Sequence, residues 1–203
     1  IYDKEQVVEL FRERKKNSKG NKLYAANYGL ALALLETEQL EEAEKILKEL
    51  ALLSPNSLYI LDTMSDLYVA KKQPKQFLEQ LTHAYQLRPN NSVVTLNYAN
   101  VLIEAKQHEK AIQILEYFLL SKPNHYLAIQ LLKSAYKLTE NTARYHTTNA
   151  ELAALRADYR VALESIDRAL MSLSETDKAE VARLEALKIE YRTRQKYIRN
   201  IKT

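Results

Sequence analysis

The 203-residue sequence contains no cysteine, no tryptophan, two glycines and four prolines. Without cysteine the chain has no disulfide, no thiolate nucleophile and no zinc site built on thiolates. Gly20 and Gly29 are too few for a glycine-rich phosphate-binding loop. No apolar run reaches the roughly 18 residues of a membrane span, and no charged-then-apolar leader is present. Because the chain begins at Ile1 rather than methionine, we expect a processed chain or an excised domain.

The formal net charge is only +4, which is too small to indicate a nucleic-acid partner by itself. Basic residues nevertheless concentrate near both ends of the chain, at Arg12, Arg14, Lys15, Lys16, Lys19 and Lys22 and at Arg183, Lys188, Arg192, Arg194, Lys196, Arg199 and Lys202. Solvated helix faces explain them most simply, and we expect no nucleic-acid binding. Binding of nucleic acid through these basic ends is the alternative.

Residues with the spacing of a catalytic or metal site are also missing. His108 and Glu109 begin the zinc-protease pattern H-E-x-x-H, but Ile112 stands where the second histidine must be. No two of the four histidines have a local metal-ligand spacing, and no serine or threonine has a recognisable base beside it. We therefore expect no catalytic residue, no metal ligand and no cofactor in this chain.

What the chain does contain is a repeat. A Pro-Asn pair recurs at a constant spacing, at Pro55-Asn56, Pro89-Asn90 and Pro123-Asn124. Ala43, Phe77 and Ala111 keep the same spacing, and each precedes one of these prolines by the same number of positions. The spacing is the 34-residue period typical of the tetratricopeptide repeat (TPR), a pair of antiparallel helices that stacks on its neighbours into a solenoid. The sequence thus predicts an all-α fold of TPR-type helical hairpins, with about eleven helices in all.

The N-terminal part lies outside this period. Asp3 is suited to cap a helix reaching about Lys16, with Val7, Val8, Leu10 and Phe11 as its apolar stripe. Residues 1–22 are therefore predicted to be a helix and connector, and 23–203 the solenoid. Within the solenoid we expect repeats at about 24–56, 58–90 and 92–124, with asparagine or serine after each proline, such as Asn124, capping the next helix.

Beyond Pro123 the period slips. Ala162 follows Ala111 by one and a half periods rather than by a whole number of them. A helix over about 143–156 should therefore close one hairpin and open the next, which makes the hairpins over 126–173 irregular. The long charged segment over 176–200 is the predicted cap of the array, which needs a polar outer face. Its apolar positions are Leu184, Leu187, Ile189, Tyr191 and Ile198.

The first helix of each repeat provides the predicted protein-binding groove, because some of its positions alternate with those that pack between hairpins. These positions are Tyr28, Leu32, Leu35, Tyr59, Asp62, Asp66, Leu96, Asn97, Asn100 and Ile103; Gln130, Ser134 and Lys137 extend the row. The carboxamides could hydrogen-bond a peptide backbone, and the tyrosines and leucines could anchor apolar side chains. Contact with another segment of the same polypeptide is an equally open interpretation. A clamp for a terminal carboxylate is excluded, since Tyr28 and Leu32 stand where such clamps have lysine and asparagine.

Two stretches carry a family resemblance, residues 23–31 (LYAANYGLA) and residues 149–162. They resemble the C-terminal TPR region of the β-barrel assembly-enhancing proteases of Gram-negative bacteria. This resemblance implies a parent polypeptide whose separate domain holds zinc at H-E-x-x-H and works in the periplasm, on outer-membrane protein assembly and quality control. The chain would then be the non-catalytic protein-binding module. Its partners would be the outer-membrane assembly machinery, clients of that machinery, or the protease domain of the same polypeptide. The alternative is a stand-alone TPR adaptor that scaffolds an unrelated complex.

Overall fold

A computed structural model describes residues 3–174 and 176–201, and over these residues the chain forms eleven helices and no strand. The helices are α1 Lys4–Lys16, α2 Asn21–Glu36, α3 Leu40–Leu53, α4 Leu58–Ala70, α5 Lys75–Leu87, α6 Ser92–Glu104, α7 His108–Ser121, α8 Tyr126–Leu138, α9 Thr142–Leu155, α10 Tyr159–Met171 and α11 Lys178–Ile201. The predicted all-α architecture and helix number are confirmed. The chain divides into two compact units, an N-terminal unit of Ile1–Ala105 and a C-terminal unit of Lys106–Thr203. The predicted boundary near residue 22 stays a prediction.

The turns between helices repeat with the period of the sequence. Glu38, Lys72, Lys106 and Glu140 all have φ between 56° and 63°, and each follows the one before it by one full period. Ala157, with φ of 58°, follows Glu140 by half of a period. Left-handed backbone is unusual for residues other than glycine, so this recurrence marks the repeat independently of any side chain. It confirms the predicted half-period slip.

The same backbone hydrogen bond closes most of these turns. The N–H of Gln39 donates to the carbonyl of Leu34 at 2.8 Å, and the N–H of Gln73 donates to that of Tyr68 at 2.9 Å. Asp158 makes the equivalent bond to Ala153 at 2.9 Å. This is the Schellman-type ending that satisfies the free carbonyls of a helix C-terminus.

Polar side chains begin most first helices, largely as predicted. The carboxylate of Asp3 accepts from the Glu5 N–H, the Ser57 hydroxyl from the Ile60 N–H, and the Asn91 side chain from the Val94 N–H. The expectation for Asn124 is wrong, because His125 is the residue that caps α8. In all three repeats the cap is the second residue after the proline, at Ser57, Asn91 and His125, and Asn124 lies one position before it.

Small residues sit where helices of the N-terminal unit pack closely. Ala31 and Ala43 are fully buried, as the repeat pattern predicts. Phe77 takes the place of a small residue and stacks on Tyr68, with ring centroids 5.3 Å apart. Ser65 is also fully buried, and no hydrogen bond to its Oγ is found in the described residues. A small side chain at that position leaves room for the Phe77 ring.

Helix α1 packs against α2 through one side of its predicted stripe. The Phe11 ring lies on the backbone of Gly29, where an added Cβ would be 2.1 Å from the Phe11 Cε1 atom. Val8 is buried, but Leu10 is exposed, so the prediction for Leu10 is wrong. A helix presents only one stripe to its neighbour, and Leu10 lies off that stripe.

In the C-terminal unit α9 packs against both α8 and α10, as the slipped period predicts. The long helix α11 covers the hairpin of α9 and α10, with Leu184 and Tyr191 in a buried cluster around Ile166. Ile189 is 65% exposed, which corrects the prediction that it covers the hairpin. It follows Leu184 by five positions, which rotates it away from the buried stripe.

Candidate protein-binding surface

The predicted row of side chains spans α2, α4 and α6, and hydrogen bonds link these helices along it. The hydroxyls of Tyr28 on α2 and Thr63 on α4 lie 3.0 Å apart. The Asn97 Nδ2 on α6 donates to the Asp62 Oδ1 on α4 at 2.6 Å. Both links join residues 35 positions apart, so the second is the counterpart of the first in the next repeat. The row is therefore held in place within the N-terminal unit.

Exposure divides the row into exposed, half-buried and buried side chains. Tyr59 is 76% exposed, and Leu32, Asp62 and Asp66 are also accessible. Tyr28, Leu35, Leu96 and Asn100 are half-buried. These eight side chains stay candidates for contact with a partner.

Two members of the row are buried. Asn97 is 8% exposed and Ile103 is 7% exposed. The expectation that all of these side chains are free of packing is therefore wrong for these two. Ile103 follows Val101 and Leu102 in a run of buried residues, because α6 is enclosed on most of its faces. The Asn97 Nδ2 donates hydrogen bonds to the Asp62 Oδ1 and to the Val93 carbonyl, the latter 3.0 Å away.

The accessible part of the row is acidic. Asp62 and Asp66 lie one helical turn apart on α4, and α4 itself contains no lysine or arginine. Burial, and next the charge of Asp62, raise the pKa of Asp66. The row thus combines exposed tyrosine and leucine with carboxylates.

A small apolar pocket adjoins the row at Leu32. It encloses about 280 Å³ between α1 and α2, and Val7, Phe11, Gly29 and Ala33 line it with Leu32. An ion pair between Lys4 and Glu36, 3.1 Å long, lies at its edge. The sequence analysis missed this pocket because α1 lies outside the repeat period. The signal that could have found it is Gly29, a glycine inside an otherwise good helix.

The C-terminal unit has a larger cleft of its own, which the sequence analysis also missed. It encloses about 720 Å³ between α7, α8, α9 and α11. Its walls carry charged groups, among them Arg144, Glu151 and Arg183. Burial raises the pKa of Glu151, while Arg183 and Arg144 act in the opposite direction. The predicted extension of the row, Gln130, Ser134 and Lys137, lies outside the walls of this cleft.

The part of the chain that the structure describes contains neither a cluster of metal ligands nor a helix suited to span a membrane. Across residues 3–174 and 176–201, no three side chains of histidine, cysteine, aspartate or glutamate come together as ligands for one ion. His125, one of the four histidines, is the N-cap of α8. Among the helices described, none combines the length and the apolar character that a transmembrane helix needs.

Comparison with known proteins finds similarity to TPR proteins. The tetratricopeptide-repeat family profile matches residues 68–135. The chain is 31% identical to a β-barrel assembly-enhancing protease of Vibrio cholerae, over 93% of this chain and 40% of that protein. It is 28% identical to the β-barrel assembly-enhancing protease of Escherichia coli K12, over 81% of this chain and 34% of that protein. The chain therefore spans less than half the length of these relatives.

A solved structure gives the same fold. YrrB, whose crystal structure is described as that of a TPR protein with an unusual peptide-binding site, superposes with a TM-score of 0.56 at 17% identity. The match covers 80% of this chain and 82% of YrrB. It confirms the predicted TPR solenoid class, and the sequence relatives confirm the predicted resemblance to the β-barrel assembly-enhancing proteases.

Proposed function

We propose that this TPR domain, related over most of its length to β-barrel assembly-enhancing proteases, is the protein-binding module of such an enzyme. Its binding site is the row on α2, α4 and α6. The observation that carries this proposal is the exposure of Tyr59 and Leu32 on helices joined by two equivalent hydrogen-bonded links. A TPR fold implies a protein or peptide ligand, and this row offers one an exposed tyrosine and an exposed leucine.

The links make the row rigid before any partner arrives. Tyr28 bonds to Thr63 and Asn97 bonds to Asp62, so neighbouring helices are joined by their side chains. Rigid surfaces bind more tightly because less freedom is lost on association. Tyr59 then provides an exposed aromatic anchor of the kind that dominates binding energies. Asn100, half-buried on α6, provides a carboxamide that both donates and accepts hydrogen bonds.

In this proposal, the catalytic chemistry of the parent protein takes place outside this chain. Zinc and peptide hydrolysis are assigned to a protease domain of the parent polypeptide, and this chain is assigned no catalytic residue and no cofactor. The parent is proposed to act in the periplasm, in outer-membrane protein assembly and quality control. The partners proposed for the row are the assembly machinery, its clients, or the protease domain itself. The names of the sequence relatives support this assignment.

Site-specific photo-crosslinking in the full-length protein tests the proposal. A photoreactive residue at Tyr59 or Leu32 should crosslink to a component of the outer-membrane assembly machinery or to the protease domain. Lys45 on α3 and Gln113 on α7 are exposed control positions outside the row. Capture of those partners from the control positions, with none from Tyr59 or Leu32, would overturn the assignment of the row.

A further inference from the structure

The three helices that carry the row have almost no positive charge. Together α2, α4 and α6 contain one cation, Lys22, and four carboxylates, at Glu36, Asp62, Asp66 and Glu104. The chain as a whole has a net charge of +4, so this excess of carboxylates is local. Of the four, Glu36 is already paired with Lys4. The acidic character of the row therefore rests mainly on α4.

On α4 an exposed ring and two carboxylates share one stripe. Tyr59, Asp62 and Asp66 are spaced by three and four residues, which places them on the same side of a helix. All three are exposed. Asp62 is oriented by the Asn97 side chain, and no cation pairs with Asp66 among the described residues. Ring and carboxylates thus face the same solvent-accessible space.

Both chemistries on this stripe favour the same type of ligand group. Carboxylates attract an ammonium or guanidinium group, and such pairs form charge-assisted hydrogen bonds. The face of a tyrosine ring attracts the same cations through its quadrupole. Asp66 is moreover unfavourably placed without a cation, since burial by its surroundings and the charge of Asp62 raise its pKa. A bound cation would favour the charged carboxylate and so act against both effects.

We propose that Tyr59, Asp62 and Asp66 bind a lysine or arginine side chain of the partner, so that the row selects basic segments. This inference rests on the proposed function and adds the charge of the partner to it. Apolar neighbours of the basic side chain would contact Leu32 and Leu96, which lie on the flanking helices of the same row. A basic segment with leucine or tyrosine beside its lysines is the chemistry that fits this surface.

Fluorescence anisotropy with three labelled peptides tests the charge preference. The peptides share one framework of leucine and tyrosine and carry lysine, glutamine or glutamate at the intervening positions. The expected order of affinity for the chain is lysine, then glutamine, then glutamate. Asp62→Asn/Asp66→Asn should weaken the lysine peptide roughly tenfold, because two exposed ion pairs are lost. It should weaken the glutamine peptide less than the lysine peptide, because glutamine forms no ion pair with these carboxylates. The lysine preference should also fall as salt rises above about 0.15 M.

Glu49→Gln/Glu79→Gln is the matched control, since it removes the same charge from exposed positions on α3 and α5. It should leave the order of affinities unchanged. Equal affinity for the lysine and glutamine peptides, with Tyr59→Ala weakening both, would overturn the basic-segment inference and leave the row as the binding site. If Tyr59→Ala affects no peptide, or if no peptide binds, the proposed site itself fails and the inference fails with it.

Discussion

Asn97 on α6 donates a 2.6 Å hydrogen bond to Asp62 on α4, and this pair repeats the link between Tyr28 and Thr63 one repeat earlier. The two asparagines of α6 therefore have different roles. Asn97 is buried and joins helices, whereas Asn100 is half-buried and remains available to a ligand. Structure and binding therefore depend on neighbouring positions of one helix.

The different roles of Asn97 and Asn100 predict different effects for their alanine variants. Asn97→Ala removes two hydrogen bonds and leaves an acceptor of Asp62 without its donor, which should cost about 1–3 kcal/mol of stability. Asn100→Ala should leave the melting temperature nearly unchanged and weaken partner binding. Thermal unfolding followed by circular dichroism measures the first effect. An Asn97→Ala protein as stable as the wild type would show that the link between α4 and α6 contributes nothing.

Overpacking tests the register of the repeat. Ala111 is fully buried on α7, so Ala111→Leu should destabilise the protein by about 1–3 kcal/mol. Ala25→Leu is the matched control, because Ala25 is exposed on α2 and leucine is a good helix former. Chemical denaturation of both variants gives the comparison. Equal stability of the two would mean that Ala111 has spare volume around it.

An ion-pair network between α3 and α4 predicts loss of stability in acid. Hydrogen bonds from Lys48, at 2.6 Å, and from Lys71 lower the pKa of Glu44 to about 2. The hydroxyl of Tyr68 also donates to Glu44, at 3.0 Å. Because the pKa is lower in the folded state, the carboxylate stabilises the protein above about pH 4.5 and loses this effect as the pH falls towards 2.

Glu44→Gln should therefore lower the melting temperature at pH 7, and the difference from wild type should shrink towards pH 2. Melting curves measured across this range provide the check. Lys45→Gln is a useful control, since Lys45 is an exposed neighbour outside the network. A Glu44→Gln deficit that is the same at both ends of the pH range would contradict the assigned pKa shift.

Glu151, in the cleft of the C-terminal unit, predicts the opposite pH dependence of stability, because its contribution is lost as the pH rises. Burial raises its pKa above the usual value of 4.5, although Arg183 and Arg144 partly compensate. A raised pKa means that the carboxyl group contributes stability below about pH 4.5 and loses it as the pH rises through the folded-state pKa. Glu151→Gln should raise the melting temperature at pH 7 and have little effect at pH 4. A lower melting temperature at pH 7 would show that Arg183 and Arg144 outweigh burial.

The repeat could be predicted from the sequence because residues at a constant spacing mark the same backbone features in each repeat. The Pro-Asn pairs and the buried alanines locate the helix ends and the close crossings. The left-handed residues Glu38, Lys72, Lys106 and Glu140 follow the same step, and Ala157 follows Glu140 by half of it. Even the slip after Pro123 was visible, since Ala162 follows Ala111 by one and a half periods. Local spacing therefore contains most of the information about the hairpins.

The candidate surface was less predictable because its details depend on neighbours distant in sequence. The partner of Asn97 is Asp62, 35 positions away, and nothing near Asn97 in the sequence indicates that its carboxamide is occupied. Ile103 has the spacing of a row residue but is enclosed by the packing around α6. The pocket beside Phe11 and the cleft around Glu151 likewise require contacts between helices that the period does not describe.

The affinity of the Tyr59→Ala protein for the purified outer-membrane assembly machinery is the measurement that most directly tests the row as the binding site. Loss of a central aromatic anchor commonly costs about 2 kcal/mol or more, which is roughly a thirtyfold loss of affinity. Tyr117→Ala is the matched control, because Tyr117 is 60% exposed on α7 and lies outside the row, while Tyr59 is 76% exposed. We expect Tyr59→Ala to bind roughly thirtyfold more weakly, with both melting temperatures unchanged and with Tyr117→Ala binding like wild type. Wild-type affinity of the Tyr59→Ala protein would contradict the account.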